Sequence, residues 1–210
     1  RLGDFYEMFF EDAKVGAELL DLTLTGRDCG LEERAPMCGV PYHAVDSYIT
    51  KLASSGYKVA ICEQLEEASP DKKTVDRGVV RVVTPGTITS DSLNEKANNF
   101  ICCAYKVDDT VALAWADITT GEFCAVEFHG EESLKKCVAQ MTMLDVKEII
   151  CNDDMLLSSK DLPEITRGII PKFSNYPAWA FGYSSAERTL LKQFNAQTLY
   201  AFSISGHKYA

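Results

Sequence analysis

The chain has 210 residues, more than one average domain and fewer than three, so two domains are expected. A composition of 46% hydrophobic and 25% charged residues is ordinary for a globular chain, and no apolar run approaches the roughly 20 residues that span a bilayer. The net charge of −10 excludes a general nucleic-acid binder, because phosphate contacts need Lys and Arg. Neither half is basic: residues 1–90 hold 10 basic and 15 acidic side chains, and residues 91–210 hold 11 and 16. If the chain touches nucleic acid, it does so through a local patch, or much of the phosphate grip lies elsewhere. The eight cysteines form no C-x-x-C pair and no ligand pattern with His43, His129 or His207, which reads as buried free thiols in a reducing compartment. An opening Arg1-Leu2-Gly3 without Met or a signal-peptide pattern reads as a fragment of something longer.

In chain order, Phe10, Ala13, Ala17 and Leu20 keep a helical period. A Gly/Glu/Arg-rich loop is expected from Gly26 to Ala35. A second helix follows, with Val45, Tyr48, Ile49 and Leu52 on one face and Gly56 as its stop. Tyr57 to Leu65 alternates as a strand, and Val79 to Val83 is a β-branched run closed by the turn signal Thr84-Pro85-Gly86. The polar stretch Ser90 to Asn99 marks a domain boundary. Beyond it, Phe100 to Tyr105, Val111 to Ile118 and Glu122 to Phe128 read as three strands, with Thr119-Thr120-Gly121 turning the second into the third. A helix from Glu131 to Met143 leads to a strand from Val146 to Cys151. Ser184-Ser185-Ala186-Glu187 fits a capping box for a helix from about Ser185 to Phe194. The expected fold is α/β: an α+β first domain with a mixed sheet and flanking helices over 1–92, a linker over 93–99, and an α/β second domain over 100–210.

Four segments carry a specific resemblance. Gly3-Asp4-Phe5-Tyr6-Glu7-Met8-Phe9 is followed by Pro36-Met37-Cys38-Gly39-Val40-Pro41-Tyr42-His43-Ala44, then by Val59-Ala60-Ile61-Cys62-Glu63-Gln64-Leu65 and Arg81-Val82-Val83-Thr84-Pro85-Gly86-Thr87. In this order they resemble the signatures of the MutS family. More loosely, Ala116-Asp117-Ile118-Thr119-Thr120-Gly121-Glu122-Phe123 is similar to that family's connector domain, whose fold is RNase H-like. The resemblance implies DNA mismatch recognition in post-replicative repair by a bacterial protein of the cytoplasm and nucleoid. The implied partners are duplex DNA with mispairs or small insertion/deletion loops, the MutL protein, and a second copy of the intact protein. The connector would be incomplete at its C-terminus. ATP and magnesium would belong to an ATPase domain outside this chain, since no Gly-x-x-x-x-Gly-Lys-Ser/Thr loop occurs in it, so the fragment is not expected to be an enzyme.

The resemblance implies that Phe5 and Glu7 meet the mispaired base, and the spacing has a physical rationale. If Phe5 to Glu7 is extended, both side chains share one face and Tyr6 takes the other. An apolar wedge in the minor groove unstacks a base step at a cost of a few kcal/mol. A mispair has already lost part of its stacking and pairing, so the same insertion costs less there, and Glu7 can hydrogen-bond the displaced base. The alternative reading makes Phe5 a core aromatic and Glu7 a solvated carboxylate. Arg27, in its expected loop, is a candidate phosphate contact. Lys72, Lys73, Arg77 and Arg81 form a second basic cluster that could equally be a solvated face. Met37 could pack near the groove or in the core. Two rivals remain: a metal-dependent nuclease centred on Asp117 with Asp108, Asp109, Glu122 or Glu127, and a family branch that binds partners or junctions without probing mismatches.

Overall fold

A computed structural model describes residues 1–66, 75–89, 98–160, 173–202 and 207–209. The chain divides into two compact units, Arg1–Glu95 and Lys96–Ala210. Both mix helices and strands. The expected linker at 93–99 lies, up to residue 97, outside the described residues.

The first unit is built on a three-stranded antiparallel sheet, β1 (Phe5–Phe9), β2 (Thr25–Arg27) and β3 (Ala35–Pro41), in the order β1-β3-β2. The central strand carries two prolines, which a strand flanked on both sides tolerates poorly. The register resolves this: β1 pairs only with Met37 to Pro41, and β2 only with Ala35 to Met37. Pro36 and Pro41 each sit where one flank of β3 has no partner strand. The chain passes from β1 straight into helix α1 (Phe10–Leu20), and Phe10 takes φ 54 at that junction. Gly16 lets the helix approach the sheet, since a Cβ there would stand 2.7 Å from the Met8 Cε atom. Helix α2 (Val45–Ser54) buries Ile49, Leu52 and Ala53, as its period predicts. The hairpin β4 (Val59–Gln64) and β5 (Arg77–Val83) forms a separate two-stranded sheet with a bulge at Ile61/Cys62. Ile49, Ala53, Val83 and Ile88 close one small core; Leu20, Val40 and Leu52 close another, with Tyr6 and Met8 packed on it.

The second unit holds a five-stranded mixed sheet, ordered β10-β9-β6-β7-β8. Strands β6 (Phe100–Val107), β7 (Thr110–Asp117) and β8 (Glu122–His129) run antiparallel; β9 (Glu148–Cys151) and β10 (Phe173–Asn175) join in parallel. Helix α3 (Ser133–Met143) lays Leu134, Cys137, Val138 and Met141 on the sheet, against Cys102, Val111 and Leu113. Helix α4 (Asp153–Lys160) adds Met155 to that core. All eight cysteines are free, and burial pushes the thiols of Cys102 and Cys137 up to about 12.

Helix α5 (Tyr183–Gln193) corrects one expectation. Its N-cap is Gly182, whose carbonyl accepts from the N–H groups of Ser185 and Ala186, and no side chain caps it. The helix begins at Tyr183, near the start expected around Ser185, where the short 3-10 turn Ala178–Phe181 delivers an extended Gly182 to its first turn. Ser184 lies inside the helix, too late to form the capping box.

Asp117, 1% exposed, organises the β7–β8 turn. Its carboxylate accepts from the N–H of Asn99 at 2.9 Å, the N–H and hydroxyl of Thr119 at 2.8 and 2.6 Å, and the N–H of Thr120 at 3.4 Å. Burial pushes this carboxyl up, but the Thr119 hydroxyl and the three backbone donors outweigh it and hold it below its ordinary 3.8. A carboxyl lower in the folded than the unfolded state stabilises the fold above its unfolded value, and that stabilisation is lost as pH falls through the folded value. In urea unfolding, Asp117→Asn should cost about 2 kcal/mol at neutral pH and flatten the acid limb below roughly pH 4. Parallel acid limbs for the two proteins would refute this account.

Candidate nucleic-acid interface

The pleat of β1 sorts its side chains. Tyr6 and Met8 turn inward onto the core, so Phe5, Glu7 and Phe9 share the outer face. Phe5 is 47% exposed. Its backbone is held on both sides, by reciprocal bonds with Leu2 and by pairing with Pro41, and the carbonyl of the preceding Asp4 accepts from the Tyr42 N–H at 2.9 Å. The exposed aromatic therefore stands on a fixed strand. Neither it nor Glu7 takes the core or solvated position of the alternative reading: Glu7 is ion-paired, its side chain only 16% exposed.

The partner of Glu7 is Arg27. Its Nη1 donates to Glu7 Oε2 at 2.7 Å, and its Cζ lies 5.9 Å from the centroid of the Phe9 ring. Arg27 is not in a loop, as the sequence reading expected. It ends β2, opposite Ala35, because the hairpin reaches back far enough for three residues to pair with β3. Its side chain is 45% exposed, so the pair contributes at most about 1 kcal/mol to stability. Met37 pairs with Phe9 on one side and Thr25 on the other, which places it half-buried on the same outer face.

Gly39 lies directly opposite Glu7. A Cβ there would stand 3.3 Å from the Tyr6 carbonyl oxygen and 3.4 Å from Glu7 Cγ. The missing side chain is what leaves Glu7 room to lie across the sheet toward Arg27.

The second basic cluster does not join this face. Arg77 and Arg81 belong to β5, on the other sheet. Arg77 donates to the carbonyls of Arg1 at 3.5 Å and Val75 at 3.2 Å. Arg81 lines an open depression with Asp46 and Thr50. Lys72 and Lys73 lie outside the described residues. The sequence reading missed the Glu7–Arg27 contact altogether; two opposite charges twenty residues apart become neighbours only through the order β1-β3-β2.

The nuclease rival loses its anchor. Asp117 Oδ1 is committed to the turn and Oδ2 to the N–H of Asn99, and among the described residues no three His, Cys, Asp or Glu side chains converge as metal ligands. Glu127 is tied instead to the N–H of Tyr209 at 2.6 Å, with His129 and His207 near its other oxygen. Among the described residues no helix is long and apolar enough to cross a membrane.

These features define a class: two successive mixed α/β units, the first displaying an exposed Phe-x-Glu strand beside an arginine. Family models agree with that class, the one for MutS domain I matching residues 1–92 and the one for MutS domain II matching residues 99–210. The chain belongs to the MutS family. It is 46% identical over 200 residues to the DNA mismatch repair protein MutS of Ruminiclostridium cellulolyticum, covering 95% of this chain and 23% of that protein. It is 51% identical over 156 residues to the protein of the same name from Clostridium botulinum strain 657, covering 74% of this chain and 16% of the relative. The chain thus spans a quarter or less of the length of these relatives.

The tight fit at Gly39 is testable by itself. Gly39→Val should destabilise the first unit by about 1–3 kcal/mol through overpacking against Tyr6 and Glu7, read as a lowered thermal midpoint. An unchanged or raised midpoint would show that the strands have room for a side chain there.

Proposed function

We propose that this chain is the lesion-probing part of a DNA mismatch-repair protein, acting on duplexes that hold a mispair or a small insertion/deletion loop. The observation that carries the reading is the split of β1: Tyr6 and Met8 anchor the strand in the core, while Phe5 and Glu7 stand together on its outer face. Phe5 enters the minor groove as a wedge and stacks on one base of the weakened pair. Glu7 then hydrogen-bonds the displaced base. Discrimination comes from the lower cost of unstacking a step that is already poorly paired, so one site serves many lesions without reading a sequence.

Among the remaining candidates, Arg27 and Met37 lie beside Glu7 and Phe9 on the same face as the wedge and are the contacts most directly supported by position. Arg77, Arg81, Lys72 and Lys73 would add phosphate contacts only if the duplex also reaches the β4–β5 hairpin. The second unit is proposed as the connector, passing the signal to MutL and to the ATPase region of the intact protein, which works as a homodimer in the bacterial cytoplasm and nucleoid. No step of this proposal on the present chain runs through ATP or magnesium, for which it has no phosphate loop.

The test titrates the intact protein, wild type and Phe5→Ala, onto a duplex with one G·T mispair and onto its matched counterpart at one fixed salt concentration. Wild type should prefer the mispair, and Phe5→Ala should lose that preference, roughly 10-fold or more, with similar affinity for the matched duplex. A preference absent in wild type, or unchanged in the variant, would make Phe5 an ordinary surface aromatic and favour the family branch that binds partners without probing mismatches.

A further inference from the structure

The Glu7–Arg27 pair deepens the proposed reading, on which this inference rests. Without DNA, the carboxylate meant for a displaced base is occupied: Arg27 Nη1 holds Glu7 Oε2 at 2.7 Å, and the same guanidinium lies near the Phe9 ring. Two of the three outward side chains of β1 are thus attended by one arginine, and only Phe5 stands clear. We infer that Arg27 is a specificity-determining mask, a positioning residue that keeps Glu7 paired until a lesion releases it.

The argument is one of partner exchange. A guanidinium binds phosphate as readily as carboxylate, and a groove brought to Phe5 carries phosphates past the half-exposed Arg27. Moving Arg27 to a phosphate leaves Glu7 as an unpaired carboxylate in a field of negative charge. On a mispair the displaced base gives Glu7 a new hydrogen-bond partner, so the exchange is compensated. On a matched duplex no base edge is offered, and Arg27 stays on Glu7. The ion pair therefore penalises matched DNA more than mispaired DNA.

Counterion release makes the exchange visible. Each phosphate neutralised adds about 0.9 to the slope of log affinity against log salt concentration. In the intact wild-type protein, the slope on a G·T duplex should exceed that on the matched duplex by about 0.9, one contact's worth. Arg27→Gln should abolish that difference by flattening the mispair slope. Glu7→Gln frees Arg27 on both duplexes, so it should steepen the matched slope by about 0.9 and raise matched affinity by roughly 2- to 5-fold. In the Arg27→Gln background, Glu7→Gln should leave the matched slope unchanged, because no cation remains there to be freed.

Two results would overturn the mask: equal wild-type slopes on the two duplexes, or a rise in matched affinity from Glu7→Gln with no steepening of the matched slope while Arg27 is present. The second would mean simple relief of carboxylate–phosphate repulsion. Failure of the underlying reading looks different. There, wild type shows no preference for the mispair, or Phe5→Ala keeps it, and both proposals fall together.

Discussion

Five consecutive pairings between β1 and β3, from Phe5 opposite Pro41 to Phe9 opposite Met37, set the geometry of the first unit's site. A strand's alternation has only two phases, and slipping by one residue would send Phe5 and Glu7 inward and expose Tyr6 and Met8. The phase is held by Tyr6 and Met8, which pack with Leu20, Val40 and Leu52, and by the close approach of α1 at Gly16. Once β1 is fixed, β3 carries β2 on its other side, and β2 carries Arg27 to Glu7. The core is thus not merely a support beneath the site. Its packing selects which side chains the site contains.

Much of this was legible in the sequence, for reasons that differ by element. The α2 face and strand β6 follow clean periodicities, because each buries one side. Strand β7 buries Val111, Ala112 and Leu113 in succession, so its apolar run rather than alternation marked it, and in α1 the expected face holds for Ala13 and Leu20 while Phe10 is exposed. The extension of Phe5–Glu7 entered only as the condition for the two side chains to share a face, and the structure meets it. Strands β2 and β3 did not show, since Thr25-Gly26-Arg27 is too short for a period and Ala35 to Pro41 carries two prolines and a glycine. Those residues fit only because β3 has unpaired flanks at both ends, a fact of register that no local window contains. The Glu7–Arg27 pair was hidden for the same reason. At α5 the error was of another kind: a capping-box pattern was present, but Gly182 takes the N-cap and Ser184 lies inside the helix.

Charge looks at first like an objection to the proposed function, and it becomes part of the explanation. A wedge that discriminates by deformability gains little from strong phosphate binding, because phosphate contacts favour matched and mispaired duplex alike. Under the proposed reading, an acidic chain whose Arg27 is already paired with Glu7 would suppress that shared term. What remains is the difference in unstacking cost, which is where a mispair differs from a Watson–Crick pair. Asp117 follows a related logic in the second unit. A carboxylate that would look catalytic on a strand end is instead spent on the donors of a turn and on the Asn99 N–H, and its burial is compatible with charge only because they surround it.

An exposed aromatic is tolerable on this strand because the rest of it is so constrained. Leaving Phe5 in water forgoes roughly 1–2 kcal/mol that burial would supply. Retracting it would require the register slip that expels Tyr6 and Met8, a larger loss, so the wedge stays out. Its position is also settled before any duplex arrives: reciprocal bonds with Leu2 and the pairing with Pro41 have already removed the backbone freedom that a loop-borne wedge would lose on insertion. Under the proposed reading, the protein's ordering cost falls at folding rather than at binding. Little then remains to vary from one encounter to the next except the resistance of the base step, which is the quantity a mismatch detector must measure.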